Sequence, residues 1–251
     1  MDGMKGKTVL ITGGSRGIGA ACVRAFSAAG ANVVFTYAKA KKYAEKTAES
    51  AAKNGRCPLF HQLDLASSAD CARLVRKVLS SSKRIDVLVN NAGIWEEGAI
   101  GSMTEAEWDR TIDINLTGIF RMCTVVVPVM KKQRAGRIIN ISSTAGQRGE
   151  PFHSHYAASK GGVIAFTKSL AIELISYGIH VNGVAPGWVT TDMTAPVWKN
   201  GKVAKSIYKS LPRGRFGTPE EIAGPILFLA SDMADNIVGE TINVNGGSVL
   251  F

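Results

Sequence analysis

Tyr156 and Lys160 stand four residues apart, one helical turn, with Ser143 thirteen residues upstream and a glycine turn carrying Gly13, Gly17 and Gly19 near the N-terminus. A tyrosine is a poor acid at its free pKa of roughly 10, but a lysine one turn away can stabilise its phenolate and bring the proton into useful range. The spacing describes a proton donor with its tuner. The glycine turn describes a second reactant. A strand over Thr8–Thr12 runs into Gly13-Gly14-Ser15-Arg16-Gly17-Ile18-Gly19 and then a helix to about Ala29. Glycines let backbone approach a pyrophosphate, and the helix N-terminus supplies free N–H groups and a positive dipole. The pattern is GxxxGxG rather than the commoner GxGxxG. Together these features imply a reductase that takes its hydride from a nicotinamide dinucleotide.

The second strand ends in Thr36-Tyr37-Ala38-Lys39, with no acid where an NAD site places one on the ribose hydroxyls. Arg16 and Lys39 can instead flank a 2′-phosphate through charge-assisted bonds. NADP(H) is therefore expected over NAD(H).

The elements that must position these groups are legible as alternating apolar β-rich runs and helical stretches. Strands are expected at Thr8–Thr12, Asn32–Tyr37, Leu59–Leu63, Ile85–Val89, Arg137–Ile141, His180–Ala185 and Thr241–Val244. Such alternation gives a parallel sheet covered on both faces, and right-handed crossovers leave a seven-stranded, doubly wound α/β Rossmann fold. One dinucleotide-binding and catalytic domain is expected to use the whole chain, 1–251. Gly187–Pro212 resolves into no clear element and reads as a lid over the substrate.

Composition fits that reading. The 251 residues are 45% hydrophobic, with eight prolines, and no apolar run is expected to approach the eighteen or so residues of a membrane span. The N-terminus moves directly into a strand without a secretory signal, so a cytoplasmic location is expected. Cys22, Cys57, Cys71 and Cys123 are scattered without metal-ligand spacing, so free thiols and no metal site are expected. Thirty basic against twenty acidic residues give a formal charge of +10. The basic residues follow no nucleic-acid module, which leaves a phosphorylated cofactor or an acidic protein as their partner.

Thr12–Gly19 as TGGSRGIG, Asn90–Gly93 as NNAG, Asn115, Ser143 within NISS, Tyr156–Lys160 as YAASK and Pro186–Thr191 as PGWVTT occur in one order along the chain. In this they resemble the short-chain dehydrogenase/reductase (SDR) family over essentially the whole length. The segments Thr36–Ala40, Gly214–Ala223 (GRFGTPEEIA) and Asn245–Ser248 (NGGS) look most like β-ketoacyl-ACP reductases. The resemblance implies roles. Tyr156 would protonate the carbonyl oxygen, Ser143 would hydrogen-bond the same oxygen, Lys160 would hold the nicotinamide ribose and lower the Tyr156 pKa, and Asn115 would hold a water in a relay to Lys160.

It also implies a cofactor site over Gly13, Ser15, Arg16, Gly17, Ile18, Gly19 and Lys39. Asp64 and Leu65 would meet the adenine, Asn91, Ala92 and Gly93 would lie beside the adenosine ribose, and Tyr156 and Lys160 would join from the catalytic end. Along Pro186, Gly187, Val189 and Thr191, the Val189 backbone would engage the carboxamide and Thr191 a phosphate. Asn90 would steady the central strand. Trp95, Gln147, Phe152, His153 and Trp188 follow strand ends or lie near Tyr156, where a doubly wound fold places its crevice.

Relatives that accept acyl carrier protein (ACP), an acidic partner, carry a basic residue before the fifth strand, matched by Arg134, and another where this chain has Tyr177. Lys199, Lys202 and Lys205 offer charge for a carrier phosphate. Apolar stripes on two sides of Thr104–Lys132 and His155–Ser176 need a second partner surface, and the resemblance implies a homotetramer with these helices at one interface and Thr241–Phe251 near another. The leading expectation is an NADPH-dependent reductase of 3-oxoacyl thioesters carried on ACP or CoA. The alternatives are a sugar, polyol or xenobiotic alcohol dehydrogenase and, in another class, a catalytically idle NADP(H)-binding sensor or scaffold.

Overall fold

A computed structural model describes residues 3–53 and 55–250. Its seven strands are β1 (Thr8–Ile11), β2 (Asn32–Tyr37), β3 (Leu59–Gln62), β4 (Val87–Asn90), β5 (Gly136–Ile141), β6 (Ile179–Pro186) and β7 (Thr241–Val244). They pair in parallel in the order β3-β2-β1-β4-β5-β6-β7. Every expected strand is present, with ends displaced by at most two residues. Successive strand residues point to opposite faces, so Val9 and Ile11 join one core and Leu10 the other, as Val33 and Phe35 separate from Val34. Both faces are apolar because both are covered.

Ten helices lie among the described residues: α1 (Gly17–Ala28), α2 (Lys41–Ala52), α3 (Ser68–Ser82), α4 (Glu105–Ile112), α5 (Gly118–Gln133), α6 (Ala145–Arg148), α7 (Ser154–Leu174), α8 (Ala195–Trp198), α9 (Gly201–Ser210) and α10 (Pro219–Leu229). Helices α1, α2 and α10 cover one face, where Phe26, Ala48 and Ile226 pack on the sheet, and α3, α5 and α7 cover the other with Leu74, Met122 and Leu174. Burying a side chain such as Phe26 contributes about 1.5–3 kcal/mol. A buried polar chain crosses the second face: Asn90 Nδ2 donates to Asn140 Oδ1 at 2.9 Å, and Asn140 Nδ2 donates to Thr167 Oγ1 at 2.9 Å. It ties β4, β5 and α7 together, and Asn90 thus has the strand-steadying place expected of it.

Two features differ from the sequence reading. Glu105–Gln133 is one continuous helical run whose 18-residue apolar stretch reaches a mean hydropathy of 1.5, long and apolar enough by composition to cross a membrane. It is a core helix: Ile119, Cys123, Val126 and Met130 are buried in the second core. The segment 187–212 is not a bare loop, since it forms α8 and α9. The Asn200 side chain accepts from Val203 N and caps α9, and the helix turns Ala204 and Leu211 inward. Lysines interleaved with these few apolar positions had hidden the period.

The second apolar side of the long helices is exposed at Phe120, Ile172 and Ile175. Phe251, placed near an interface by the resemblance, lies outside the described residues. Cys22, Cys71 and Cys123 are buried free thiols and Cys57 is exposed. Burial pushes Cys22 and Cys123 up to about 12, which leaves them inert as nucleophiles.

Candidate active site

The strand order reverses between β1 and β4, and the crevice opens outside the carboxyl ends of these strands. The turn after β1 is built for close approach. Gly17 has φ +53°, and a Cβ at Gly19 would sit 2.1 Å from the Gly13 carbonyl oxygen and 2.5 Å from Asn91 Nδ2. Asn91 Nδ2 donates to both Thr12 O and Gly13 O at 3.0 Å, while Thr12 Oγ1 accepts from Asn91 N at 3.0 Å and Ala92 N at 3.1 Å. Asn91 therefore clamps the glycine turn, and its amide is spent on backbone rather than turned toward a ribose. Thr12 is the other half of that clamp, and a buried strand-end threonine carries no distinguishing signal in sequence.

Opposite the turn, Thr191 lies against Gly17, with its Cγ2 3.2 Å from where a Gly17 Cβ would stand. Between the two runs a cleft of about 320 Å³ lined by Ser15, Arg16, Gly17, Lys46, Thr191 and other residues. Backbone close enough to exclude any side chain, an exposed α1 N-terminus and a cationic rim make this cradle fit a dinucleotide pyrophosphate. Lys46 was not anticipated, because a lysine on an exposed helix looks like any solvated charge. Arg16 and Lys39 are both exposed at this end.

The remaining cofactor positions divide. Asp64 Oδ1 accepts from Ala66 N at 2.9 Å, closing its own turn, and the Leu65 carbonyl accepts from Arg121 Nη1 at 3.1 Å. The Pro186 carbonyl accepts from Thr144 N at 3.0 Å, Gly187 N donates to Val244 O at 3.1 Å, and the Val189 carbonyl accepts from Thr194 Oγ1. Ile18 packs against the first core, so it anchors the helix.

The four residues expected to be catalytic converge from three elements. Ser143 follows β5, Tyr156 and Lys160 share the first turns of α7, and Asn115 lies in a π-helical turn, Asp113–Thr117, between α4 and α5. Such turns are rare and cluster at functional sites. Here the turn carries Asn115 inward: its Oδ1 accepts from Ile94 N at 2.8 Å, and its Nδ2 donates to Ile94 O at 2.9 Å and to Ser159 Oγ at 3.2 Å. A Cβ at Gly93 would lie 3.1 Å from Asn115 Oδ1 and 3.5 Å from Lys160 Nζ, so both groups border the same small space.

Ser143 Oγ accepts from Ala145 N at 3.1 Å, which leaves its proton free to donate. Burial pushes the Tyr156 phenol up to about 12, a hydrogen bond from Ser143 opposes the rise and the Glu150 charge adds to it. Lys160, expected to lower this pKa, is not among the groups that shift it here. Lys160 Nζ stands 5.8 Å from the Tyr156 ring centre and donates to Ile141 O at 2.8 Å, and burial lowers its own pKa to about 8. Burial thus favours the protonated form of the Tyr156 phenol.

Aromatic rings form a continuous wall beside these groups. The His153 imidazole stacks on Trp95 at 4.5 Å and 2°, Trp95 meets Trp188 edge-on at 5.9 Å, Trp188 stacks on Phe216 at 5.7 Å, and Phe216 meets Tyr208 of α9 at 4.8 Å. Trp95, His153 and Trp188 are thus brought together. Gln147 lies on the same loop and donates through Nε2 to Asn243 Oδ1 at 2.6 Å. Phe152 does not join the wall. It is 62% exposed, and its left-handed φ of 61° turns its side chain away from its neighbours. Glu150, unforeseen in sequence, stands in its place: burial raises the pKa of its carboxyl, offset by His153, the Trp95 indole and Arg148.

Comparison with known proteins agrees with this geometry. A family model described as enoyl-(acyl carrier protein) reductase matches residues 13–248. The chain is 43% identical over 252 residues to a 3-oxoacyl-[acyl-carrier-protein] reductase of Synechocystis sp., covering 100% of both chains. It is 42% identical over 241 residues to the 3-oxoacyl-[acyl-carrier-protein] reductase FabG of Staphylococcus aureus, covering 96% of this chain and 97% of that one. The crystal structure of gox2181 superposes with a TM-score of 0.93 at 34% identity, over 97% of this chain and 96% of its own. A doubly wound sheet, a glycine cradle and a Ser-Tyr-Lys-Asn cluster at its switch point, together with full-length likeness to these proteins, make the chain a member of the short-chain dehydrogenase/reductase family of oxidoreductases.

Proposed function

We propose that this protein is an NADPH-dependent carbonyl reductase that acts on 3-oxoacyl thioesters as one domain in the cytoplasm. The observation that carries the reading is the meeting of Ser143 and Tyr156 beside a space bordered by Lys160 and Asn115. Full-length likeness to 3-oxoacyl-[acyl-carrier-protein] reductases supports the thioester.

The nicotinamide, when bound, supplies the hydride. Gly17, Gly19 and the N-terminus of α1 hold the pyrophosphate, with Thr191 closing from the opposite side. Arg16 and Lys39 hold the 2′-phosphate. Ser143 donates its hydroxyl proton in a hydrogen bond to the substrate oxygen. Tyr156, kept protonated by burial, gives its proton to that oxygen as negative charge develops on it. Lys160, with a pKa of about 8, would bind the ribose as a cation at neutral pH and is the proposed source of the proton returned to Tyr156. Asn115 holds the Ile94 backbone and shares the Gly93 space through which a relay water would pass.

ACP is the proposed carrier. Arg134 provides one of the expected cations. Tyr177 occupies the second position, but Lys131 Nζ lies 4.4 Å over its ring and Arg134 5.8 Å, so positive charge is present on that patch through a different residue. The apolar exposures at Phe120, Ile172 and Ile175 support a homotetramer. A second reading, a smaller ketone or polyol without a carrier, is favoured by the aromatic wall.

The test is absorbance loss of NADPH and, in parallel, NADH with acetoacetyl-CoA and a panel of ketones and sugars. Tyrosine-dependent NADPH turnover on the thioester is expected, with Tyr156→Phe as control. Turnover only on other carbonyls selects the second reading, and cofactor binding without turnover selects an idle sensor.

A further inference from the structure

The loop from Gln147 to His153, between the catalytic serine and tyrosine, presents acceptors and few donors. His153 is 8% exposed, and its Nε2 is a buried atom with no hydrogen-bond partner. Its other nitrogen fixes the chemistry. Nδ1 lies 2.9 Å from the Pro151 carbonyl oxygen, and a carbonyl can only accept, so Nδ1 carries a proton and, in the single-proton form of the ring, Nε2 is a bare lone pair. Trp95 stacks flat on the ring, and Gly98 N donates to Phe152 O at 2.7 Å, so neither the imidazole nor its loop is free to turn the lone pair elsewhere. Two more acceptors stand on the same loop: Gln147 Oε1, also buried without a partner, and the Glu150 carboxylate. Buried polar atoms are ordinarily paired, and one left over beside the Trp95–Trp188 wall asks for a complementary group.

The opposite side of the crevice has the reverse polarity. Ser143 and Tyr156 both offer hydroxyl protons to a carbonyl oxygen. We propose that His153 is the specificity residue of this site, its Nε2 accepting a hydrogen bond from an O–H or N–H group that the substrate carries beside its reacting carbonyl, while the Trp95–Trp188 wall packs the body of the molecule. The proposal rests on the reading of Tyr156 and Ser143 as the carbonyl-binding pair. It narrows the substrate to ketones with a nearby donor, of which two sources share the chemistry: a hydroxyketone, or a thioester whose carrier arm bears an amide N–H.

Two matched pairs distinguish them in the NADPH-loaded full chain. 2-Hydroxyacetophenone against propiophenone replaces a hydroxyl by a methyl. The acetoacetyl thioester of N-acetylcysteamine against its acetoxyethyl counterpart replaces an amide N–H by oxygen. The wild-type KM is expected to be at least about tenfold lower for the donor-bearing member of one pair, since a site built to bond a donor rejects the analogue lacking it; the pair that shows the ratio identifies the source. In His153→Phe, which keeps a ring against Trp95 but no acceptor, the ratio is expected to fall toward one, and His153→Gln is expected to recover part of it. Equal KM values within both pairs in the wild type overturn the proposal without any variant, as does a ratio that His153→Phe leaves intact. Failure of the catalytic reading is separable. In Tyr156→Phe the same affinity ratio is read by quenching of Trp95 and Trp188 fluorescence, so persistence of turnover in that variant removes the acid role of Tyr156 while the binding ratio still decides the role of His153.

Discussion

Lys160 donates its ammonium to the Ile141 carbonyl oxygen at 2.8 Å while standing 5.8 Å from the ring centre of Tyr156. The acid of the site therefore holds its proton through burial, which pushes it up to about 12. In the proposed mechanism reduction consumes the protonated phenol and uses a cationic Lys160, so between about pH 6 and about pH 9 its kcat is expected to be flat at first and to fall as Lys160 loses its proton near about 8. Alcohol oxidation consumes the phenolate, a minor form in that range, so its rate is expected to rise about tenfold per pH unit. Initial rates in both directions across that range check this, and an oxidation rate independent of pH would remove Tyr156 as the titrating group.

Asn115 is fully buried and satisfies both backbone groups of Ile94. Asn115→Ala strips partners from two part-buried backbone atoms of Ile94, each costing at most about 1–3 kcal/mol, so unfolding free energy is expected to fall by about 2 kcal/mol. Urea titration measures it. A loss of turnover with unchanged stability would instead assign Asn115 to the proton relay alone.

The contrast between these residues shows where sequence stopped being informative. Strand alternation, the glycine turn and the spacing of Ser143, Tyr156 and Lys160 are local patterns, and local patterns locate elements to within two residues. Which atom Lys160 bonds is set by β5, nineteen positions away in sequence, and no spacing reports it. The π turn that carries Asn115 inward has no composition of its own, and α9 hid because its inward side needs only Ala204 and Leu211 fully buried while lysines fill the rest. Phe152 read as a pocket residue because it neighbours Tyr156; a left-handed φ, invisible in the letters, sends it to solvent and gives the crevice to Glu150 and His153.

Glu221 links the strap behind the lid to α10. It accepts from Arg215 at 2.6 and 2.9 Å and from Thr218 N at 2.9 Å, and Arg215 chiefly, with the Thr218 backbone, lowers its pKa from 4.5 to about 2. Because the folded value lies below the unfolded one, its contribution is fully present above pH 4.5 and is lost as pH falls toward about 2. The pair is partly solvated, so the effect is small. Thermal melts between these limits are expected to converge for wild type and Glu221→Gln as acidity increases, after differing at neutral pH. A gap that widens on acidification would contradict the assignment.

Arg16 lines the cleft and Lys39 is exposed just after β2, where no acid follows to take the ribose hydroxyls of the proposed cofactor. A charge-assisted bond to phosphate is worth about 1.5–3 kcal/mol, or roughly 10–100-fold in affinity. Neutralising both residues is expected to raise the NADPH dissociation constant by at least about that factor while leaving NADH little changed, because only NADPH carries the 2′-phosphate. Binding is the measurement to use, since it separates the adenosine end from the chemistry at Tyr156, some distance along the cofactor. Lys46 on the same rim provides an internal comparison. If the pyrophosphate is the group it serves, Lys46→Gln weakens NADPH and NADH alike. A parallel loss of both cofactors in the Arg16 and Lys39 variant would place those cations at the pyrophosphate too, and NADP(H) selectivity would then have no source in this end of the cleft.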